Sequence, residues 1–205
     1  LEASVTYESN LLDASALELS RPEPVSAARS AESVAKEAVR LGSGLALSAV
    51  FGLALGVRAG GVSLLEHALG APLGMLVVVV VAAPALLVRL ALIDAPLRPA
   101  RVSAAIAEAV FGAGLVLAGL SPAMAMLVVS IESPGAAAWM TGLGLTLGGS
   151  IGLVRLFAEI HQGLSAVSLV AKGRVLMTLV LFTALACALA ARAWGAWLPL
   201  LGGAR

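Results

Sequence analysis

The stretch IGLVRLFAEIHQGL, residues 151–164, sets Arg155, Glu159 and His161 directly after a run of apolar residues and glycines. A carboxylate and an imidazole this close can exchange protons or share a metal ion. An arginine and a carboxylate within a membrane can also form an ion pair. Arg155 and Glu159 stand four apart in the weaker charge order, so pairing between them adds little. Arg155 is expected instead to reach Glu108 on another segment, or a lipid phosphate. Glu108 is the strongest ionisable candidate inside an apolar run, seven residues beyond Arg101. Its expected partners in a rim ion pair are Arg155 and Arg89, because all three fall at a similar depth.

Other chemistry is sparse. His67 and His161 are the only two histidines. They are expected on opposite sides of the membrane, His67 in an interfacial loop beside Glu66, and so cannot share a metal within one chain. Cys187 sits alone in an apolar run, without a disulfide partner or a zinc spacing. HExxH, CxxC and a Walker lysine are all absent from the sequence. Thr141, Thr146, Ser150, Thr178 and Thr183 can satisfy their hydroxyls on their own helix backbone, and none has a base beside it. The residues point away from an enzyme and call for no metal and no cofactor.

What positions these groups follows from composition. The 205 residues are 60 % hydrophobic and only 12 % charged, against about 25 % charged for a soluble domain. That is the balance of an integral membrane protein. A net charge of +1 leaves no footprint for nucleic acid. Charge is dense in residues 1–40 and thin beyond them, which divides the chain into a polar arm (1–40) and a transmembrane body (41–205). The first twenty residues are acidic, with no basic start, unlike a signal peptide.

The fold class expected is all-α, a polytopic integral membrane helical bundle. A span needs roughly 20 apolar residues. Five blocks qualify, at about 42–60, 71–92, 102–131, 136–156 and 174–194. Four spans remain if the weakest block, 42–57, lies in the interface. Alternating polarity, the mark of a β-barrel, is missing from stretches such as VLMTLVLFTALACALAA. Pro84 is expected to kink the second span. Pro122 either kinks the third span or breaks it into a re-entrant half.

Lysine and arginine collect in cytoplasmic loops. The arm beside the first span and the second and fourth loops are the basic ones, which places the N-terminus in the cytoplasm and the C-terminus outside. A bacterial inner membrane is the expected location. Arg98, Arg101, Lys172 and Arg174 are then expected at lipid head groups. Trp139, Trp194 and Trp197 fall on the outer side as interfacial anchors.

Small residues let membrane helices approach. Gly52 and Gly56 in the first span, and Gly144, Gly148 and Gly152 in the fourth, are the expected packing faces. Gly112 and Gly114 add small surface to the third. The arm has an amphipathic helical pattern, SAARSAESVAKEAVRL, after a breaker at RPEP (21–24). It is expected to lie along the inner head groups, to dock on a partner, or to continue the first span. Partners expected are the lipid bilayer and other membrane subunits or a second copy. The functional expectation is a non-catalytic subunit or scaffold of a membrane complex. The alternative is a small transporter, channel or permease component with Glu108 as a membrane-edge ion or proton group.

Overall fold

A computed structural model describes residues 24–58, 60–95, 97–164 and 168–198. The expectations for the arm before residue 24, including a hinge at RPEP, lie outside the described residues, as does the side chain of Trp197. Among the described residues the chain is all-α: α1 (Pro24–Gly56), α2 (Gly61–Leu92), α3 (Pro99–Ser130), α4 (Pro134–Gln162) and α5 (Leu169–Trp197). Five helices are long and apolar enough to cross a membrane. Two compact units divide between Lys36 and Glu37. The described part of the first, residues 24–36, is helical, and the second holds the rest of α1 with the other four helices.

Short turns with local chemistry separate the helices. Gly60 and Gly61 both adopt positive φ, 62° and 55°, which an L side chain tolerates poorly. They let the chain reverse within a few residues. Asp94 takes the same left-handed region between α2 and α3, where a short polar side chain is tolerated. Pro99 and Pro134 open α3 and α4, at positions where a missing N–H costs nothing. Ser133 and Ser168 cap α4 and α5 by accepting from the N–H groups of Ala136 and Ala171.

One expectation about continuity is corrected, and one of two alternatives is dropped. The loop expected around residues 58–70 is mostly helix, because α2 starts at Gly61, directly after the positive-φ Gly60. Glu66 and His67 are therefore helical, not loop residues. Pro122 does not split the third span: α3 runs unbroken through it, and α2 runs through Pro72 and Pro84. Each proline leaves one carbonyl, of Ala68, Val80 or Ala118, without its helical donor.

The second unit is organised around two helix pairs. α3 packs most extensively on α4, and α2 on α5, with a lighter contact between α2 and α3. α1 reaches α3 where Gly44 lies against Val110 and Phe111, and reaches α2 where Gly52 lies against His67. One apolar cluster runs from Leu86 and Leu90 through Ile106 and Ile160 to Phe182. A second joins Phe51 and Leu55 to Leu117, Met124 and Leu145. Much large apolar surface faces outward, including Val80, Val88, Met126, Trp139 and Val154. In water that would be a liability; against hydrocarbon it is solvated.

Candidate functional site

The charged centre of the bundle is a carboxylate between two guanidinium groups on three helices. Glu108 of α3 accepts from Arg40 Nη1 of α1 at 2.8 Å through Oε2, and from Arg155 Nη1 of α4 at 3.3 Å through Oε1. The Glu108 side chain is 26 % exposed and those of Arg40 and Arg155 are 45 % and 44 % exposed, so the cluster sits at an edge and not in a sealed core.

Backbone shape holds it there. A Cβ built at Gly112 would lie 2.5 Å from Arg155 Cδ and 2.9 Å from its Nε. The missing side chain is what lets Arg155 lie across α3 toward Glu108, one helical turn away. On the other side, Glu37 of α1 accepts a 2.9 Å hydrogen bond from Ser103 Oγ of α3. That bond joins the same two helices one turn nearer the start of α3. Glu108 lies nine residues past Pro99, about 14 Å along the helix. With α3 centred on a hydrocarbon core of about 30 Å, it falls about 5 Å inside the edge.

The structure brings Glu108 and Arg155 together and leaves Arg89 apart. Arg89 is exposed near the end of α2 and makes no ion pair among the described residues, so its expected place beside Glu108 is corrected to Arg40. Sequence reasoning assigned Arg40 to the arm. The overlooked signal is that no glycine or proline interrupts residues 25–41, so α1 continues through this position. Arg98 is the N-cap of α3 and Arg101 lies in its first turn, both exposed. Lys172 and Arg174 lie in the first turns of α5. Glu159 and His161 occupy the last turns of α4, away from the cluster's contacts.

The glycine faces are internal. A Cβ on Gly144 would meet Phe51 of α1 at 2.8 Å, on Gly148 it would meet Leu117 of α3 at 2.7 Å, and on Gly152 the carbonyl of Ala109 at 2.9 Å. Gly56 lies 2.7 Å from Leu64 Cα by the same measure, and Gly52 lies against the His67 carbonyl. Gly142 and Gly149, on another side of α4, meet nothing.

One side chain sits elsewhere than expected. His67 is 2 % exposed within α2, with Nδ1 2.7 Å from the Ser63 carbonyl and Nε2 buried without a partner. Trp194 is half-buried against α2. Its ring covers Gly74, and its Nε1 donates to the Ala71 carbonyl at 3.3 Å. The buried hydroxyls of Ser121, Thr141 and Thr178 each donate to a carbonyl one turn back. They offer nothing to a solute. Between the two helix pairs lies an almost wholly apolar crevice of about 500 Å³, bordered by Val79, Leu117, Gly149, Phe182 and Trp194. Among the described residues no group of three or more His, Cys, Asp or Glu could hold a metal ion.

The fold and the site define an all-α bundle of long apolar helices, consistent with a polytopic integral membrane protein, crossed near one end by an ion-pair network. The chain matches no protein-family model, and comparison with curated proteins and with solved structures likewise finds no match.

Proposed function

We propose that the protein is a small transporter, channel or permease component in which Glu108 is an ion or proton group at the membrane edge. The observation that supports this is the network itself: one carboxylate on α3 engages arginines from α1 and α4. Ionisable groups set inside the hydrocarbon edge are costly, and they are found along ion pathways and proton relays. A purely structural tie would be served as well by the glycine interlocks already joining the same helices. In this reading the basic ends of α3 and α5, with Arg98, Arg101, Lys172 and Arg174, face the cytoplasm and its anionic head groups. The N-terminus is cytoplasmic and the membrane a bacterial inner membrane.

The test is flux. The full chain in liposomes is expected to pass protons or small anions above the rate of empty liposomes, measured with an internal pH dye and with radiolabelled phosphate. Glu108→Gln is expected to abolish that flux while the helix content and monodispersity of the purified protein stay unchanged. Wild-type flux no greater than that of empty liposomes, or full flux in Glu108→Gln, would overturn the reading.

A second reading is a non-catalytic subunit that packs against partners. It is favoured by the open face of α4, where Gly142 and Gly149 look onto empty space. Stable co-purification with unlike membrane proteins, without flux, would support it.

A further inference from the structure

We propose that Arg40 and Arg155 form a binding site for a phosphate-type oxyanion, with Glu108 as the internal anion that occupies the site when it is empty of ligand. The inference rests on the transport reading of the same cluster and names the class of ligand. A guanidinium presents a planar fork of N–H donors suited to bidentate contact with an oxyanion. Here each guanidinium gives Glu108 a single Nη1 contact, and neither makes any other ion pair or hydrogen bond recorded among the described residues. Both arginine side chains are nearly half exposed.

Charge leads to the same ligand. Two guanidinium groups against one carboxylate leave the cluster with an excess positive charge. Glu37, three residues from Arg40 on α1, accepts from Ser103 Oγ and contacts neither guanidinium as an ion pair. An uncompensated cation close to hydrocarbon is unfavourable, and an oxyanion restores the balance. The site is also shaped. Gly112 keeps the Arg155 side chain flat against α3, which fixes one fork while Arg40 supplies the other from α1. Glu108 and the ligand compete for the same donors, so binding displaces the carboxylate and its return expels the ligand. This is a capture-and-release step without covalent chemistry.

The ligand can come from two sources, a free phosphate or a phospholipid head group, and the experiment separates them. The full chain is placed in nanodiscs of phosphatidylcholine and titrated with inorganic phosphate. In parallel it is placed in nanodiscs containing phosphatidylglycerol without added phosphate. Thermal unfolding and calorimetric binding are read in both. Arg40→Gln and Arg155→Gln are expected to weaken binding roughly tenfold or more, while Arg192→Gln, a surface arginine on α5, leaves it unchanged. Arg155→Lys keeps the charge without the fork and is expected to weaken binding too, which keeps the test intact if a glutamine variant fails to fold. Glu108→Gln is expected to tighten binding, because the competing carboxylate is gone; a merely structural ion pair would not do this. A response to phosphate alone supports a soluble ligand, and a response to phosphatidylglycerol alone supports a lipid. No response to either, equal responses in wild type and all arginine variants, or weaker binding in folded Glu108→Gln overturns the proposal. Binding without flux would sink the transport reading and leave the site standing; flux without binding would do the reverse.

Discussion

Gly44 and Gly114 meet backbone to backbone where α1 crosses α3. A Cβ on Gly114 would overlap the carbonyl of Gly44, and one on Gly44 would lie 2.7 Å from the Val110 carbonyl and 2.8 Å from Phe111 Cα. Hydrocarbon gives helices no hydrophobic reason to associate, so contact at this distance helps hold α1 to α3 alongside the Arg40–Glu108 pair and the Ser103–Glu37 bond. Gly114→Ala is therefore expected to destabilise the bundle by about 1–3 kcal/mol, the usual cost of overpacking. Gly119, on the same helix, has open space at its Cβ position. Gly119→Ala is expected to be neutral or to stabilise by up to about 1 kcal/mol through helix propensity. Unfolding in detergent followed by circular dichroism distinguishes the two. Equal effects from both substitutions would show that the crossing carries no weight.

Trp194 ties α5 to α2 in a comparable way, by placing a large ring over the absent side chain of Gly74. Trp194→Phe keeps most of the ring and loses the hydrogen bond to the Ala71 carbonyl, which also serves as a helix acceptor. Its expected cost is about 0.5–1.5 kcal/mol. Trp194→Ala opens a hole continuous with the crevice and is expected to cost about 3–5 kcal/mol. The ratio of the two, measured in the same detergent, reports whether packing or the hydrogen bond dominates. A larger loss in the phenylalanine variant would contradict the packing account.

How much of this was legible in the sequence depends on the range of the interaction. Hydropathy is summed over whole segments, so four apolar helices stand out without any knowledge of neighbours, and the fifth, α1, needed the charge pattern as well. Helix ends were harder. Glu66 and His67 look like loop residues by polarity, yet Ser63 supplies a carbonyl for the imidazole one turn away, and that local bond lets the histidine be buried. The Glu108–Arg155 pairing could be suggested from depth alone, since depth is a property of each helix by itself. Choosing Arg40 over Arg89 needed the rotation of α1 and α2 about their axes. An apolar helix that faces lipid on one side and protein on the other has no polarity stripe to reveal that rotation. For the same reason the level of Trp194 was readable and its facing was not.

His67 offers a test of burial against polarity. Its Nδ1 is bonded to the Ser63 carbonyl, which keeps a backbone donor of its own along the helix, while Nε2 is enclosed without a partner. An unsatisfied buried polar atom is unfavourable, and exchange for an apolar group of similar size is commonly neutral or stabilising. His67→Leu is expected to unfold at the same temperature as wild type or higher. His67→Ala is expected to be destabilising, because it leaves a cavity where the buried imidazole was. If the leucine variant is clearly less stable than wild type, Nε2 has a partner in the folded protein and the burial is not merely tolerated.

Cys187 reads out the environment of α5 directly. It is exposed, borders the crevice, and lies ten residues before the end of the helix at Trp197, about 15 Å along it. With Val180, two turns back on the same face, also exposed, this face has hydrocarbon for its solvent if the helix crosses a bilayer. A charged maleimide added to intact proteoliposomes must then fail to label the thiol, because it cannot enter hydrocarbon. An uncharged, lipid-soluble maleimide reaches it. After solubilisation in a denaturing detergent both reagents are expected to label fully. Mass spectrometry of the intact chain counts the adducts in each case, and the absence of any other cysteine makes the count unambiguous. Rapid labelling by the charged reagent in sealed vesicles would place water at this level of α5. The crevice between the helix pairs would then be an aqueous path and not a lipid-filled cleft.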